Sequence, residues 1–398
     1  MKISIIIVSP IIPPQPSGVG KRALRHAVWF SDNGYEVTLI TGTDSIILDN
    51  NKITIKRIKK TIDNTKRKKT RHIYSIHGFI KNIFIIKKII NERKAKNLIL
   101  HCFGAGPVTW ITLFWAKWYG VKCVTELILL GNDDPTNKNL GLLKPYIIPW
   151  VLRKSSAVIG ISPALIRSAE QVVHDHSRLY LIPNDVQENS YSEDLYSRKN
   201  KIKTDMGLSQ YGKVILFVGG FTQRKGGDIL VTSFIRYTKY NPDSVLVIVG
   251  RHEDHVHLKA KEKALSALNI RAFPENIRFV GYQHDVYKYY IIADALLFPS
   301  RREGFGNALI EAMAMKVPVI AKKIPGITDY IIDNGINGVI IDSEDPEEYA
   351  SALMNILDDN IVRQNIIKNA RNKVEKCFSQ KVVMQKYIDM YENVIGQY

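Results

Sequence analysis

Short runs of β-branched and aliphatic residues recur along the chain, each followed by a longer stretch with the spacing of an amphipathic helix. They fall at 3–8, 37–41, 97–100, 122–125, 157–161 and 179–182. A second series follows at 214–218, 245–249, 277–280, 295–298, 317–321 and 338–341. Continuous apolar runs of this length predict strands buried on both faces, the environment of a parallel sheet covered by helices. Two such series predict an α/β fold of two doubly wound, Rossmann-like domains. The break falls at Leu181-Ile182-Pro183-Asn184-Asp185, where a strand ends in a turn and the polar stretch 187–213 follows. In open sheets of this kind ligands bind beyond the carboxyl ends of the strands, so a cleft between two facing domains is the expected site.

A length of 398 residues agrees with two domains, and 45% hydrophobic residues with 25 Gly and 16 Pro exclude a disordered, collagenous or coiled-coil chain. Cys102, Cys123 and Cys377 are too few and scattered for a disulfide framework or a cysteine metal site, which points to a reducing compartment. The apolar opening Ile3–Val8 is too short for a signal peptide and meets Pro13, Pro14 and Pro16 at once. No apolar stretch approaches the roughly 20 residues that span a bilayer, so a soluble or peripheral protein is expected.

The net charge of +18 is unevenly placed. Residues 52–96 hold 16 Lys or Arg and 2 acids, whereas residues 183–398 hold 28 and 27. One basic segment beside a neutral half predicts a single face that meets an anionic surface. Within it, 56–72 is expected to be a loop and 79–96 a helix with a broad apolar sector.

Candidate chemistry sits at three strand-to-helix junctions. After the first strand come Gly18 and Gly20, which let backbone approach an anion at a helix N-terminus. After Val214–Val218 come Gly219-Gly220-Phe221-Thr222-Gln223-Arg224-Lys225-Gly226, where Arg224 and Lys225 can neutralise a departing diphosphate. After 295–298 comes Pro299-Ser300-Arg301-Arg302-Glu303-Gly304-Phe305-Gly306-Asn307, with Glu311 one turn into the next helix. Glu303 and Glu311 bracket that glycine loop and can accept hydrogen bonds from two sets of ligand hydroxyls.

These motifs, with IRFVGYQ, YKYYIIADALLFPSRREGFGNALIEAMA, VPVIA and NGINGVIID in order over 277–341, resemble the retaining nucleotide-sugar glycosyltransferases of family four, which have the GT-B fold. The resemblance covers nearly the whole chain. It implies an acceptor-binding domain of 1–182 plus a returning C-terminal helix at about 385–398, and a donor-binding domain of 183–384. It implies that Glu303 contacts the donor sugar, Glu311 the ribose, Lys225 the diphosphate, and the backbone of Gly304, Phe305, Gly306 and Asn307 the sugar and phosphates. Gly18 and Gly20 match the acceptor-side loop. His101, at a strand end before Phe103-Gly104, matches a histidine near the reacting sugar, and Glu126 ends the next strand on the acceptor side. The implied co-substrate is a UDP- or GDP-linked sugar, with no metal and no separate cofactor.

The sequence departs from the family at three places. Gly220 stands where an arginine is usual, and Arg224 is the candidate to replace that charge. Lys316 stands where a glycine precedes Val-Pro-Val, and Pro183-Asn184-Asp185 replaces Pro-Asn-Gly. Arg251–His257 has the composition of a metal cluster but not the spacing, and reads as a solvated loop. Asp133 and Asp134 read as turn caps. The expected function is hexosyl transfer to a lipid-linked or other oligosaccharide in cell-surface polysaccharide synthesis, in the cytoplasm and peripheral on the inner membrane face through 52–96. The alternatives are a soluble or nucleic-acid acceptor, or a non-catalytic basic binding protein.

Overall fold

A computed structural model describes residues 3–15, 17–43, 52–59, 68–93, 97–131, 133–135, 144–187, 197–253 and 255–396, with the side chains of 68–77 and 255 outside that description. The chain divides into two units, Met1–Ile182 with Met384–Tyr398, and Pro183–Val383.

Among the described residues the first unit is built on seven strands: β1 (Ser4–Val8), β2 (Glu36–Thr41), β3 (Thr54–Arg57), β4 (Leu98–Phe103), β5 (Lys122–Leu127), β6 (Ala157–Gly160) and β7 (Leu179–Leu181). They lie in the order β3-β2-β1-β4-β5-β6-β7, every pair parallel. The connecting helices are α1 (Gly18–Asp32), α2 (Lys68–Arg93), α3 (Pro107–Trp118), α4 (Lys144–Lys154) and α5 (Pro163–Glu170). β1, β4, β5 and β6 are buried over nearly their whole length because helices cover both faces. The edge strand β3 carries Thr-Ile-Lys-Arg, which has no continuous apolar run and gave no strand signal in the sequence. The basic tract expected as a loop over 56–72 is partly this strand and partly the start of α2, and its residues 60–67 lie outside the described set.

The second unit is a six-stranded parallel sheet of β8 (Lys213–Val218), β9 (Ser244–Val249), β10 (Ile277–Gly281), β11 (Ala295–Phe298), β12 (Val319–Lys322) and β13 (Val339–Ile341), ordered β10-β9-β8-β11-β12-β13. Its helices are α6 (Lys199–Asp205), α7 (Gly227–Thr238), α8 (His255–Leu268), α9 (Tyr287–Ile292), α10 (Asn307–Ala314), α11 (Thr328–Ile331), α12 (Pro346–Asp358) and α13 (Asn360–Cys377). The last helix, α14 (Gln380–Gly396), passes into the first unit at Met384. Phe217, Phe234, Tyr237, Leu246, Leu297, Tyr349 and Leu353 are fully buried in the core of the second unit. Strand order reverses between β8 and β11, so the loops after these two strands, bearing Lys225 and Glu303, meet at the switch point.

His255 and His257 open a helix, which corrects the reading of Arg251–His257 as a solvated loop over its second half. His257 is buried, with 7% of its surface exposed. The ideal Cβ of an alanine at position 220 would lie 2.8 Å from His257 Nε2, so Gly220 leaves the space that the imidazole fills. Lys316, just past the end of α10, has a φ of 57°. A lysine there bears the left-handed backbone cost of about 1–2 kcal/mol that glycine avoids. Lys316→Gly is expected to stabilise the second unit by about 0.5–1 kcal/mol, read as a higher urea midpoint.

Candidate active site

The second unit gathers its charged groups at the ends of β8 and β11. Lys225 Nζ lies 2.6 Å from Glu303 Oε1 and 5.5 Å from the centroid of the Phe298 ring. Arg224 Nη1 lies 3.6 Å from Glu303 Oε2 and donates to the Arg302 carbonyl at 2.7 Å. Glu303 is 7% exposed. The two cations and the carboxylate therefore form one assembly, with Arg224 its most exposed member.

The loops that carry this assembly are fastened by Arg301. Its guanidinium bonds both Asp228 oxygens at 2.8 and 3.0 Å, both Glu344 oxygens at 2.7–3.0 Å, and the Gln223 carbonyl at 2.7 Å. Its main-chain N–H donates to the Arg224 carbonyl at 2.9 Å. Forked pairing to two carboxylates is geometry that lysine cannot supply. These hydrogen bonds raise the Arg301 pKa further. Burial pushes the Asp228 carboxyl up, but Arg301 outweighs it and holds the group below its ordinary value. Arg301 lowers Glu344 as well.

The second carboxylate is held separately. Tyr290, fully buried on α9, donates to Glu311 Oε2 at 2.8 Å. Burial and then the neighbouring Glu311 charge push the phenol well above its ordinary pKa, so the donor stays protonated. At the head of α10, Asn307 Oδ1 accepts from Asn184 Nδ2 at 2.6 Å, which ties the Pro183-Asn184-Asp185 turn to the glycine loop. Gly306, with a φ of 137°, precedes the first turn of α10, whose N–H groups suit an anion. Phe305 is buried, and its ring lies 5.7 Å from that of Phe378.

In the first unit, His101 and Glu126 do not lie where a sugar could reach them. Both are fully buried. Glu126 pairs with the buried Arg22 of α1, accepts from Tyr387 at 2.7 Å, and lies 3.2 Å from His101 Nε2. His101 Nδ1 lies 2.6 Å from the Tyr391 hydroxyl, and its ring stacks on Phe103 at 4.6 Å. Burial, then the nearby His26 and Arg22, hold His101 well below its ordinary pKa. A neutral imidazole with its proton on Nε2 satisfies both contacts: it donates to Glu126 and accepts from Tyr391. Tyr387 and Tyr391 lie on α14, so this network fastens the C-terminal helix to the sheet. The expectation of His101 beside a reacting sugar, and of Glu126 beside an acceptor, is corrected on this geometry.

Gly18 has open space around it, whereas a Cβ on Gly20 would meet the Ile11 carbonyl oxygen at 2.2 Å. Gly20 thus serves close packing within the unit. Asp133 accepts from the N–H groups of Ala105, Ile128 and Leu129, and Asp134 accepts from Ser168. Among the described residues no group of three or more His, Cys, Asp or Glu is placed to hold a metal ion. Sequence reading missed Arg301, Tyr290, Arg22, Tyr387 and Tyr391. Of these, Arg301 and Tyr290 stood inside the quoted motif of 287–314, where a signal could have been sought.

A parallel-sheet unit with a lysine, an arginine and a carboxylate at its switch point, and a second carboxylate in the following helix, defines a Rossmann-like protein equipped for anionic, hydroxyl-bearing ligands. Residues 198–373 match the family model of glycosyl transferases group 1. The chain is 24% identical over 68% of its length to N-acetyl-α-D-glucosaminyl L-malate synthase of Bacillus anthracis, covering 66% of that protein. It is 25% identical over 71% of its length to UDP-Gal:α-D-GlcNAc-diphosphoundecaprenol α-1,3-galactosyltransferase of Escherichia coli, covering 63% of it. The matches thus span less than two thirds of these relatives' own lengths. The fold is that of Anabaena HepE, solved with UDP and glucose, at a TM-score of 0.77, 16% identity and coverage of 99% and 100% of the two chains.

Two outcomes are expected. Glu126→Ala leaves the Arg22 charge buried and unpaired and should cost about 3–5 kcal/mol, whereas Glu126→Leu with Arg22→Met should recover most of it in urea unfolding. Asp228 and Glu344 have lowered folded pKa values, so their contribution is complete above about pH 5 and is lost as the pH falls below about 4. The gap in thermal midpoint between wild type and Arg301→Met should therefore be widest near neutrality and close toward pH 3.

Proposed function

We propose that the chain is a retaining hexosyltransferase, which moves a sugar from a UDP- or GDP-linked donor to a glycan acceptor in cell-surface polysaccharide synthesis. The observation that carries this reading is the Arg224–Lys225–Glu303 assembly at the strand ends of a group 1 glycosyl transferase unit. The domain of 183–384 takes the donor; that of 1–182 with about 385–398 takes the acceptor. The relatives' names support the chemistry: one uses UDP-Gal and an undecaprenol-linked acceptor, and HepE was solved with UDP. A lipid-linked acceptor and a peripheral position on the inner membrane face follow, with 52–96 toward anionic lipid.

Lys225 and Glu303 hold each other. When the donor binds, Lys225 and Arg224 turn to the diphosphate, and Glu303 is released to accept from sugar hydroxyls. Glu311, aligned by Tyr290, accepts from the ribose. The bond from the anomeric carbon to the phosphate oxygen breaks as the acceptor oxygen bonds on the same face, and its proton passes to the leaving phosphate. No protein base is needed in that step, which agrees with the burial of His101. The protein's share is charge already in place around the departing diphosphate.

Lys225→Ala is expected to lower kcat/KM at least about 10²-fold, with an unchanged thermal midpoint. Glu311→Ala should weaken nucleotide binding measured by calorimetry. A wild-type protein that binds neither UDP nor GDP would overturn the reading.

A further inference from the structure

The crossovers β3→β4, β4→β5 and β5→β6 run in one direction across the first sheet, so right-handed connections put α2, α3 and α4 side by side on one face. Contacts bear this out between α2 and α3: Trp115 Nε1 donates to the Ile83 carbonyl at 2.9 Å, and Lys87 Nζ lies 4.9 Å over the Trp115 ring. α3 also packs against α4. The outer surface of this layer is not that of an ordinary covering helix. Each helix exposes two large apolar side chains four positions apart: Ile80 and Phe84, Phe114 and Trp118, Tyr146 and Trp150. Phe84, Trp118 and Tyr146 are 65%, 71% and 78% exposed. Four-residue spacing puts the members of each pair on one helical face, so the layer presents three short parallel ridges.

Charge on the same helices has one sign. α2 carries seven Lys or Arg, α3 one and α4 three, against the single acid Glu92. That acid lies 3.8 Å from both Lys56 and Lys88. Lys81, Lys88, Lys117 and Lys154 are exposed beside the ridges. A protein partner would be expected to meet such a surface with a matching arrangement of acids at one place. Aromatic and aliphatic ridges with cations spread around them instead suit a laterally uniform anionic layer, where rings enter the headgroup boundary and lysines meet phosphates. Among the described residues no helix is long and apolar enough to cross a membrane, so contact of this kind would be lateral.

We propose that the outer face of α2, α3 and α4 is a bilayer-docking surface, in which Phe84, Trp118 and Tyr146 insert at the interface of an anionic leaflet. This deepens the membrane reading above and rests on it for the anionic partner, but it transfers the anchoring from the basic stretch 52–96 alone to aromatic ridges that extend to Trp150.

The test is sedimentation of the full chain with phosphatidylcholine vesicles containing no or about one third phosphatidylglycerol, together with tryptophan emission. Wild type should partition at least tenfold more strongly to the anionic vesicles, with a blue-shifted emission that Trp118→Phe diminishes. The triple variant Phe84→Ser, Trp118→Ser, Tyr146→Ser should lose at least tenfold in partitioning, while its thermal midpoint and UDP binding stay those of wild type. The variant Lys52→Ala, Lys56→Ala, Arg57→Ala, Lys59→Ala should lose less than the ridge variant. Wild-type binding that survives in the ridge variant overturns the docking surface and leaves the membrane reading standing. No wild-type binding to anionic vesicles overturns both, as does wild-type self-association that the ridge variant abolishes without any vesicle binding.

Discussion

The geometry at the ends of β8 and β11 depends on one guanidinium. Arg301 stands between the loop that presents Lys225, the loop that presents Glu303, and the segment after β13 that carries Glu344. Lysine and arginine side chains have many rotamers, and a binding site gains little from a cation whose loop wanders. With its fork spread over two carboxylates and a carbonyl, Arg301 fixes the backbone on both sides of the assembly. The backbone positions from which Lys225 and Glu303 reach the site are then a property of the fold, and only their side chains need turn to a ligand. Tyr290 does the same for Glu311 with a neutral donor, which orients the carboxylate without cancelling its charge.

The first unit solves a different problem. A carboxylate with no solvent contact is costly unless every lone pair finds a donor. Glu126 finds Arg22, Tyr387 and His101, and His101 in turn finds Tyr391. Each member answers the next: the arginine balances the carboxylate, the carboxylate receives the imidazole N–H, and the phenol closes the chain. The result is polar specificity in the place where α14 docks.

The strand series, the two sheets and the switch-point loops were legible in the sequence because buried parallel strands leave continuous apolar runs. β3 was not, because an edge strand needs only half a pattern and its Lys56 and Arg57 read as part of the basic tract. The Arg224–Lys225–Glu303 assembly was legible as a motif, since glycines, cations and carboxylates lie close together along the chain. His101 was misplaced for a physical reason. A strand end in an α/β sheet can open onto a ligand or lie beneath a helix, and the partners that decide, Tyr387 and Tyr391, lie nearly 300 residues away. Arg301 was overlooked because a cation among cations in a glycine loop carries no mark of the two acids it will meet.

The Glu126–Tyr387 contact joins residues 261 positions apart, and this bears on how the chain is made. At about 5–20 residues per second, Tyr387 is synthesised roughly 15–50 s after Glu126. Throughout that interval the whole second unit is being produced, while the first lacks two of the hydroxyls that satisfy its interior. A ribosome carrying this chain thus holds an unfinished first unit until the final turns of α14 emerge. Order of synthesis and order of completion are reversed: the unit begun first is sealed last.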